Sequence, residues 1–100
     1  MDKVKLLSLI IPAYRQEEII ADNIRNLDKT LSTLPYEYEI IVVVDGFLDK
    51  TFEKAKSVKS KNIKVLGYEK NRGKGYAVKY GMLKAKGDVV GFIDAGMDIN

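Results

Sequence analysis

The sequence has no cysteine and no histidine. Lack of cysteine excludes disulfides and thiolate metal sites. Lack of histidine removes the commonest general base and the commonest metal ligand. Any chemistry must therefore rest on carboxylates, lysines, backbone amides or a cation held by oxygen ligands. Long apolar runs are missing too: Leu6–Pro12 and Ile40–Val44 are the longest, far below the ~20 residues that span a bilayer. The opening stretch MDKVKLLSLIIPAY has an acidic second residue and runs straight into a strand pattern, so it does not read as a signal peptide. No internal repeat, linker or low-complexity segment is visible. Charge of one sign is not concentrated either. The net charge of +3 comes from 17 basic and 14 acidic residues, and the lysines are spread over the predicted helices with a loose concentration at Lys54–Lys64. That is a solvated lysine-rich face, and no nucleic-acid partner is expected, since such binders gather their charge on one stripe.

What is present is an ordinary globular composition, 46% hydrophobic and 31% charged over 100 residues. One small domain of this length buries roughly two-thirds of its unfolded surface. Four short Val/Ile-rich runs predict strands buried on both faces: Lys5–Ile11, Glu39–Val44, Ile63–Gly67 and Asp88–Ile93. Between them lie helical patterns. Glu17–Leu34 carries Ile20, Ile24, Leu27, Leu31 and Leu34 on one stripe. Asp49–Lys59 carries Phe52, Ala55 and Val58, with Asp49 as a candidate N-cap. Lys74–Lys86 carries Val78, Met82 and Ala85, with Gly87 placed to stop it. The order β-α-β-α-β-α-β predicts an α/β parallel sheet with helices on its faces. The fourth strand has no helix after it in the 100 residues. It is therefore expected to leave an apolar edge uncovered and to favour self-association.

In open parallel sheets, ligands bind at the carboxyl ends of the strands. Here those ends carry Pro12 to Glu18, Asp45-Gly46, Tyr68 to Gly75, and Asp94. Each has a plain structural reading beside the functional one. Asp45-Gly46 makes a turn or a ligand contact; Asp49 caps a helix or binds. Arg72-Gly-Lys-Gly75 is a flexible cap, or it meets a phosphate with backbone N–H groups and Lys74. Asp94 with Asp98 is an exposed loop or a divalent metal site. Glu17 and Glu18 suit the first turn of a helix. Two nucleotide motifs fail. A dinucleotide fingerprint needs a Gly-rich turn where this chain has PAYRQEE. A P-loop needs four residues between its glycines, whereas five separate Gly67 from Gly73, and Lys74 is followed by Gly75.

Taken together, four segments resemble family 2 glycosyltransferases, especially the dolichyl-phosphate mannose or glucose synthase branch. IIPAYRQEEII is similar to the family's IPAYNEEENI, and VVVDGFLDKT to VVDDGSTDGT. NRGKGYAVKYGM is similar to NRGKGAAVRTGM, and GDVVGFIDAGMDIN to GDYVLFLDADxD, the DXD element. The resemblance spans residues 9 to 98. It implies a Rossmann-like, GT-A type nucleotide-sugar-binding portion, with the acceptor-binding half absent from residues 1–100. It implies a donor such as GDP-mannose or UDP-glucose and an inverting transfer to an acceptor such as polyprenyl (dolichyl) phosphate. Carried over by position, Pro12, Ala13, Tyr14 and Glu17 line the base and ribose pocket, and Asp45 accepts a hydrogen bond from the base. Arg72 and Lys74 lie near the diphosphate, while Asp94 and Ala95 approach the ribose or the metal. The cofactor implied is Mg²⁺ or Mn²⁺ on Asp94, aided by Asp98.

The departures are Arg15 for the usual Asn, Val44 for an aspartate, Phe47 for a serine, and Gly96 for the second aspartate of the DXD element. Glycine offers no ligand, so weakened metal binding is expected. By itself the chain is not expected to transfer sugar, and a non-catalytic nucleotide-sugar-binding relic is the alternative. The resemblance implies a cytoplasmic place, at the face of a membrane, although no residue here anchors the chain.

Overall fold

The computed structural model describes residues 5–94. Its elements follow the expected order: β1 (Leu6–Ala13), α1 (Ile20–Leu31), β2 (Glu37–Asp45), α2 (Thr51–Lys56), β3 (Ile63–Tyr68), α3 (Lys74–Lys84) and β4 (Val89–Phe92). All strand pairs are parallel, and the sheet order is β3-β2-β1-β4. The β1–β2 register sets Leu6 against Glu37 and Ala13 against Val44. Alternate residues of these central strands face opposite layers. Ile11, Ile40, Val42 and Val44 pack with Ile20, Ile24, Leu27 and Leu31 of α1 and with Ala55 of α2. Ile10, Ile41 and Val43 pack against Ala77 of α3. Each fully buried Val or Ile stabilises the fold by roughly 1.5–3 kcal/mol.

The predicted α1 stripe is the buried one, but the helix begins at Ile20 because Ile19 N–H and Ile20 N–H both donate to the Gln16 carbonyl and form a turn first. Helix α2 is shorter than expected at six residues. Asp49 is not its N-cap: that position is Lys50, with no side-chain cap bond, and Asp49 stands one residue earlier, where its carboxylate accepts from Thr51 N–H at 2.9 Å.

Helix α3 corrects the sequence reading. The buried positions are Ala77 and Gly81, not Val78, Met82 and Ala85. Small residues let the helix lie close to the sheet. A Cβ on Gly81 would stand 2.7 Å from Ile10 Cγ2 and 3.1 Å from Val43 Cγ2. The longer side chains are turned aside, leaving Met82 52% and Leu83 76% exposed. Gly87 is not the helix stop. Helix α3 ends at Lys84, and Ala85 is already extended at φ −74, ψ 142. Gly87 instead lets the α3–β4 connection lie on β1, where a Cβ would come within 2.5 Å of Ser8 Oγ. Burial on both faces holds for β2 but fails for the outer strands: β3 has no fully buried residue, and in β4 Val89 and Phe92 are 45% and 53% exposed. Among the described residues no element covers that edge.

A polar cluster fixes where β4 enters the sheet. Ser8 Oγ donates to Glu39 Oε2 at 2.6 Å, and Lys86 N–H donates to the same oxygen at 2.8 Å. Gly87 N–H donates to Ser8 Oγ at 2.9 Å, and Lys64 Nζ lies 3.3 Å from Glu39 Oε1. Burial acts to raise the Glu39 pKa, but the bonds from Lys86 N–H, Ser8 and Lys64 outweigh it and hold the carboxyl below the usual glutamate value. The stabilisation is complete above the unfolded-chain pKa and is lost as pH falls through the lower folded one.

Two outcomes are expected in thermal melts. Glu39→Gln lowers stability by about 1–3 kcal/mol at neutral pH, and the gap from wild type closes as the pH is taken down through the acid range. Gly81→Val destabilises by about 1–3 kcal/mol through overpacking. Gly75→Ala, on the same helix but facing open space, stabilises by about 0.5 kcal/mol.

Candidate active site

Strand β1 has β2 on one side and β4 on the other. The connections therefore diverge at the carboxyl ends of β1 and β4, where open parallel sheets form a crevice. A cleft of about 430 Å³ opens there. It brings together Pro12, Ala13, Tyr14, Asp45, Lys74 and Asp94, all singled out in the sequence, and adds Gln16, Asn71 and Gly73.

Pro12 suits this position. The Ile10 carbonyl accepts from Ile93 N–H on the β4 side at 2.9 Å. Two residues on, Pro12 directs its missing donor to the same side, beyond the last described pair, Ile10 with Phe92. The chain then turns at Arg15, which has φ 49, a left-handed value uncommon for this residue type. Its guanidinium lies 5.7 Å from the Tyr14 ring centre. The turn is tied to α2: Gln16 N–H donates to Thr51 Oγ1 at 2.8 Å, and Thr51 Oγ1 donates to Asp49 Oδ1 at 2.5 Å. Glu17 Oε1 accepts from Lys50 N–H at 2.8 Å. Burial would raise the Asp49 pKa, but the Thr51 hydroxyl and amide, the Glu17 amide and the Arg15 charge bring it below the usual aspartate value. Glu17 thus lines an adjoining groove with Arg15 and Asp49, not the main cleft.

Asp45 ends β2 and is 3% exposed. Its Oδ1 accepts from the Tyr68 hydroxyl at 2.7 Å and Arg72 N–H at 2.8 Å. Its Oδ2 accepts from Asn71 Nδ2 and, at 2.9 Å, from Gly73 N–H. Burial and the adjacent Asp45 carboxylate push the Tyr68 hydroxyl far above the usual tyrosine range, so it stays a donor. Tyr68 is braced by edge contacts with Tyr76 and Tyr80 at 5.2 and 5.3 Å. Two glycines permit the turn. Gly46 has φ 95, and a Cβ there would be 3.0 Å from Asn71 N; Gly73 has φ 97 at the start of α3.

Across the cleft, Lys74 Nζ lies 2.7 Å from Asp94 Oδ1 and 5.6 Å from the Phe92 ring centre. Arg72 is not in the cleft: its guanidinium sits 5.1 Å over the Tyr76 ring, and its contribution at the site is its backbone N–H. Phe47, in place of the usual serine, packs on Phe52 at 4.9 Å and over Gly67, where a Cβ would be 2.5 Å from the ring. Ala95, Gly96 and Asp98 lie outside the described residues. Among the described residues no three carboxylates gather as a preformed metal cage. Among the described residues Asp94 is the cleft carboxylate that is more than half exposed, and one carboxylate with substrate phosphate oxygens can hold such a cation. Gln16, Asn71, Gly73 and Tyr68 were missed as site residues. All four stand inside the strand-end stretches Pro12 to Glu18 and Tyr68 to Gly75 marked in the sequence, but none was singled out there by its own side chain.

Residues 8–95 match the sequence profile described as Glycosyl transferase family 2. The chain is 38% identical over 98 residues to a dolichyl-phosphate beta-glucosyltransferase of Dictyostelium discoideum, covering 89% of this chain and 30% of that protein. It is 38% identical over 92 residues to a dolichol-phosphate mannosyltransferase of Pyrococcus furiosus, covering 91% and 26%. The chain thus spans under a third of the length of these relatives. Among solved structures, the mannosyltransferase PcManGT of Pyrobaculum calidifontis, in complex with GDP-Man and Mn²⁺, superposes with a TM-score of 0.75 at 21% identity, covering 94% of this chain and 28% of that one. The likeness shows a shared Rossmann-like GT-A fold.

Arg15→Asn is expected to raise stability by about 1 kcal/mol, because asparagine tolerates the left-handed turn better. Chemical denaturation of the two proteins side by side measures it, and an unchanged or lower midpoint would contradict the strain.

Proposed function

The chain belongs to glycosyl transferase family 2, and from that premise we propose that it is the nucleotide-sugar-binding portion of an inverting glycosyltransferase whose acceptor is a polyprenyl phosphate. The observation that carries this reading is the meeting of Lys74 and Asp94, from α3 and the end of β4, with the β1 turn in one cleft. Its volume lies within the usual range for small-ligand sites.

The parts divide by charge. The Pro12–Tyr14 backbone and the Tyr14 ring form the wall for base and ribose. The positive end of α3 and the Lys74 ammonium face the diphosphate. Asp94 would hold a divalent cation together with phosphate oxygens, since Mg²⁺ is commonly bound by one or two carboxylates plus substrate phosphates. When bound, the cation neutralises charge on the leaving diphosphate. Lys74 then turns from Asp94 to a phosphate oxygen. In the transfer, an oxygen of the acceptor phosphate forms a bond to the anomeric carbon. The bond from that carbon to the donor phosphate oxygen breaks, and its electron pair leaves on the nucleoside diphosphate. The acceptor oxygen is already anionic, so no general base is required.

The relatives' names include both glucosyl and mannosyl transfer, and the choice between GDP-mannose and UDP-glucose is left to the binding measurement. A lipid acceptor places the reaction at a membrane surface. Among the described residues no helix is long and apolar enough to cross a membrane. The open β4 edge, with Val89 and Phe92 half-exposed, favours self-association of the chain in isolation, and light scattering over a concentration series reports it.

Calorimetry tests the reading. GDP-mannose or UDP-glucose binds in the presence of Mg²⁺ or Mn²⁺, Lys74→Ala weakens binding about tenfold, and Asp94→Asn removes the metal-dependent gain. No heat with either donor in either metal would sink the proposal.

A further inference from the structure

We infer that the outward face of α3 is a docking surface for an anionic phospholipid bilayer, laid so that the cleft opens at headgroup level. The surface is read from exposure and charge, and its use in meeting a lipid acceptor rests on the polyprenyl-phosphate reading above.

Ala77 and Gly81 seat α3 on the sheet. With about 3.6 residues per turn, Lys79 and Leu83 fall on the opposite side, with Tyr76 and Met82 on its two flanks. Tyr76, Met82 and Leu83 are all exposed, so this crest is apolar where a helix facing water carries polar groups. Helix α1 has the ordinary arrangement: its exposed positions are Asp22, Arg25, Asn26, Lys29 and Thr30, with charges in balance. The α3 crest points away from the sheet and is separate from the open β4 edge.

Charge here is one-sided. Lysines are spread along the chain, but acids are not: residues 70–87 hold six basic residues and no acidic one. Among the described residues neither Lys79 nor Lys84 has a carboxylate partner. Arg72 and Lys84 lie over the rings of Tyr76 and Tyr80, at 5.1 and 5.6 Å. A protein partner fits this face poorly, because protein interfaces are depleted in lysine. A bilayer fits it well. Helices that lie in the headgroup region join exposed apolar side chains to lysines, and each lysine near the surface adds attraction to anionic lipid. Lysine stems lie along apolar surface while their ammonium groups reach the phosphates, and tyrosine suits the same boundary. Lys74 begins the helix at the cleft, roughly 13 Å along the axis from Leu83. Docking on the crest therefore brings the cleft rim to the level of the lipid phosphates, where the phosphate of a polyprenyl phosphate also lies.

Vesicle flotation without nucleotide tests the surface. The chain floats with phosphatidylcholine vesicles that contain phosphatidylglycerol, does not float with phosphatidylcholine alone, and is released as salt rises. Leu83→Asn weakens the partition about tenfold, and Lys79→Ala with Lys84→Ala weakens it about tenfold or more. All three positions are exposed, and thermal melts check that the variants fold. Lys54→Ala with Lys59→Ala makes the same change of charge on the opposite face and costs less than about twofold. Equal losses in the two double variants overturn the assignment in favour of diffuse attraction by net charge. Equal flotation with neutral vesicles, or none with anionic ones, also overturns it. Self-association that Leu83→Asn abolishes, in a chain that binds no vesicle, gives the crest to a second copy instead. Donor binding is measured without vesicles, so the two readings fail separately. If no nucleotide-sugar binds but the flotation pattern holds, the proposed function falls and the docking surface stands.

Discussion

Everything in this fold depends on the parallel pairing of β1 with a strand on each side. The chain leaves β1 through α1 to β2 and β3 on one flank, and comes back through α3 to β4 on the other. Helices α1 and α2 therefore pack on one face and α3 on the opposite face. Among the described residues the loop after β1 has no strand above it on the β4 side, and the two flanks diverge around that point. A crevice follows from topology alone. Three of the residues that line it end strands or closely follow one: Ala13, Asp45 and, two residues past β4, Asp94.

The two ends of the sheet are fastened by the same device, a buried or half-buried carboxylate whose acceptors are filled by backbone amides of a distant loop. At the amino end, Glu39 and Ser8 hold the Lys86–Gly87 link and so place β4. At the carboxyl end, Asp45 holds the 71–73 turn and Asp49 with Thr51 holds the turn after β1. A carboxylate accepting two or more N–H or O–H bonds stays charged and specifies one loop geometry, because any other leaves donors unsatisfied. The site is thus shaped by ties to its loops more than by packing.

Much of this was legible beforehand, and the reasons are physical. Strand β2 reads from Ile40 to Val44 because a central parallel strand must be apolar on both faces. Helix α1 reads from its stripe because one broad apolar face packs on the sheet. The rim residues Pro12, Tyr14, Asp45, Lys74 and Asp94 were visible because strand ends carry the polar groups. Helix α3 was misread for a specific reason: close approach of backbones selects Ala77 and Gly81, and periodicity methods weigh large apolar residues. Arg72 and Glu17 were placed in the binding cleft by position in a motif, but side-chain direction is a matter of local contacts. One stacks on Tyr76, and the other accepts from Lys50 N–H. Tyr68 was legible as a rim residue at the end of β3, but its bond to Asp45 appears only when the end of β3 is set beside the end of β2 at the Asp45–Tyr68 pair.

The charge arrangement carries one more consequence. A cleft for an anion with Asp45 and Asp94 in its wall, and Asp49 beside it, would oppose its own ligand if those charges were bare. None is. Asp45 and Asp49 are covered by donors within the protein, and Asp94 is paired with Lys74. The first two are held in buried or half-buried networks. The Lys74–Asp94 pair is more than half exposed on both sides, and such pairs contribute little, about 0–1 kcal/mol. Among the described residues it is the charge pair of the wall that can open at small cost. On the proposed reading, a cation at the carboxylate and an anion at the ammonium would each replace half of it, so the two ligands would favour one another without any change of fold.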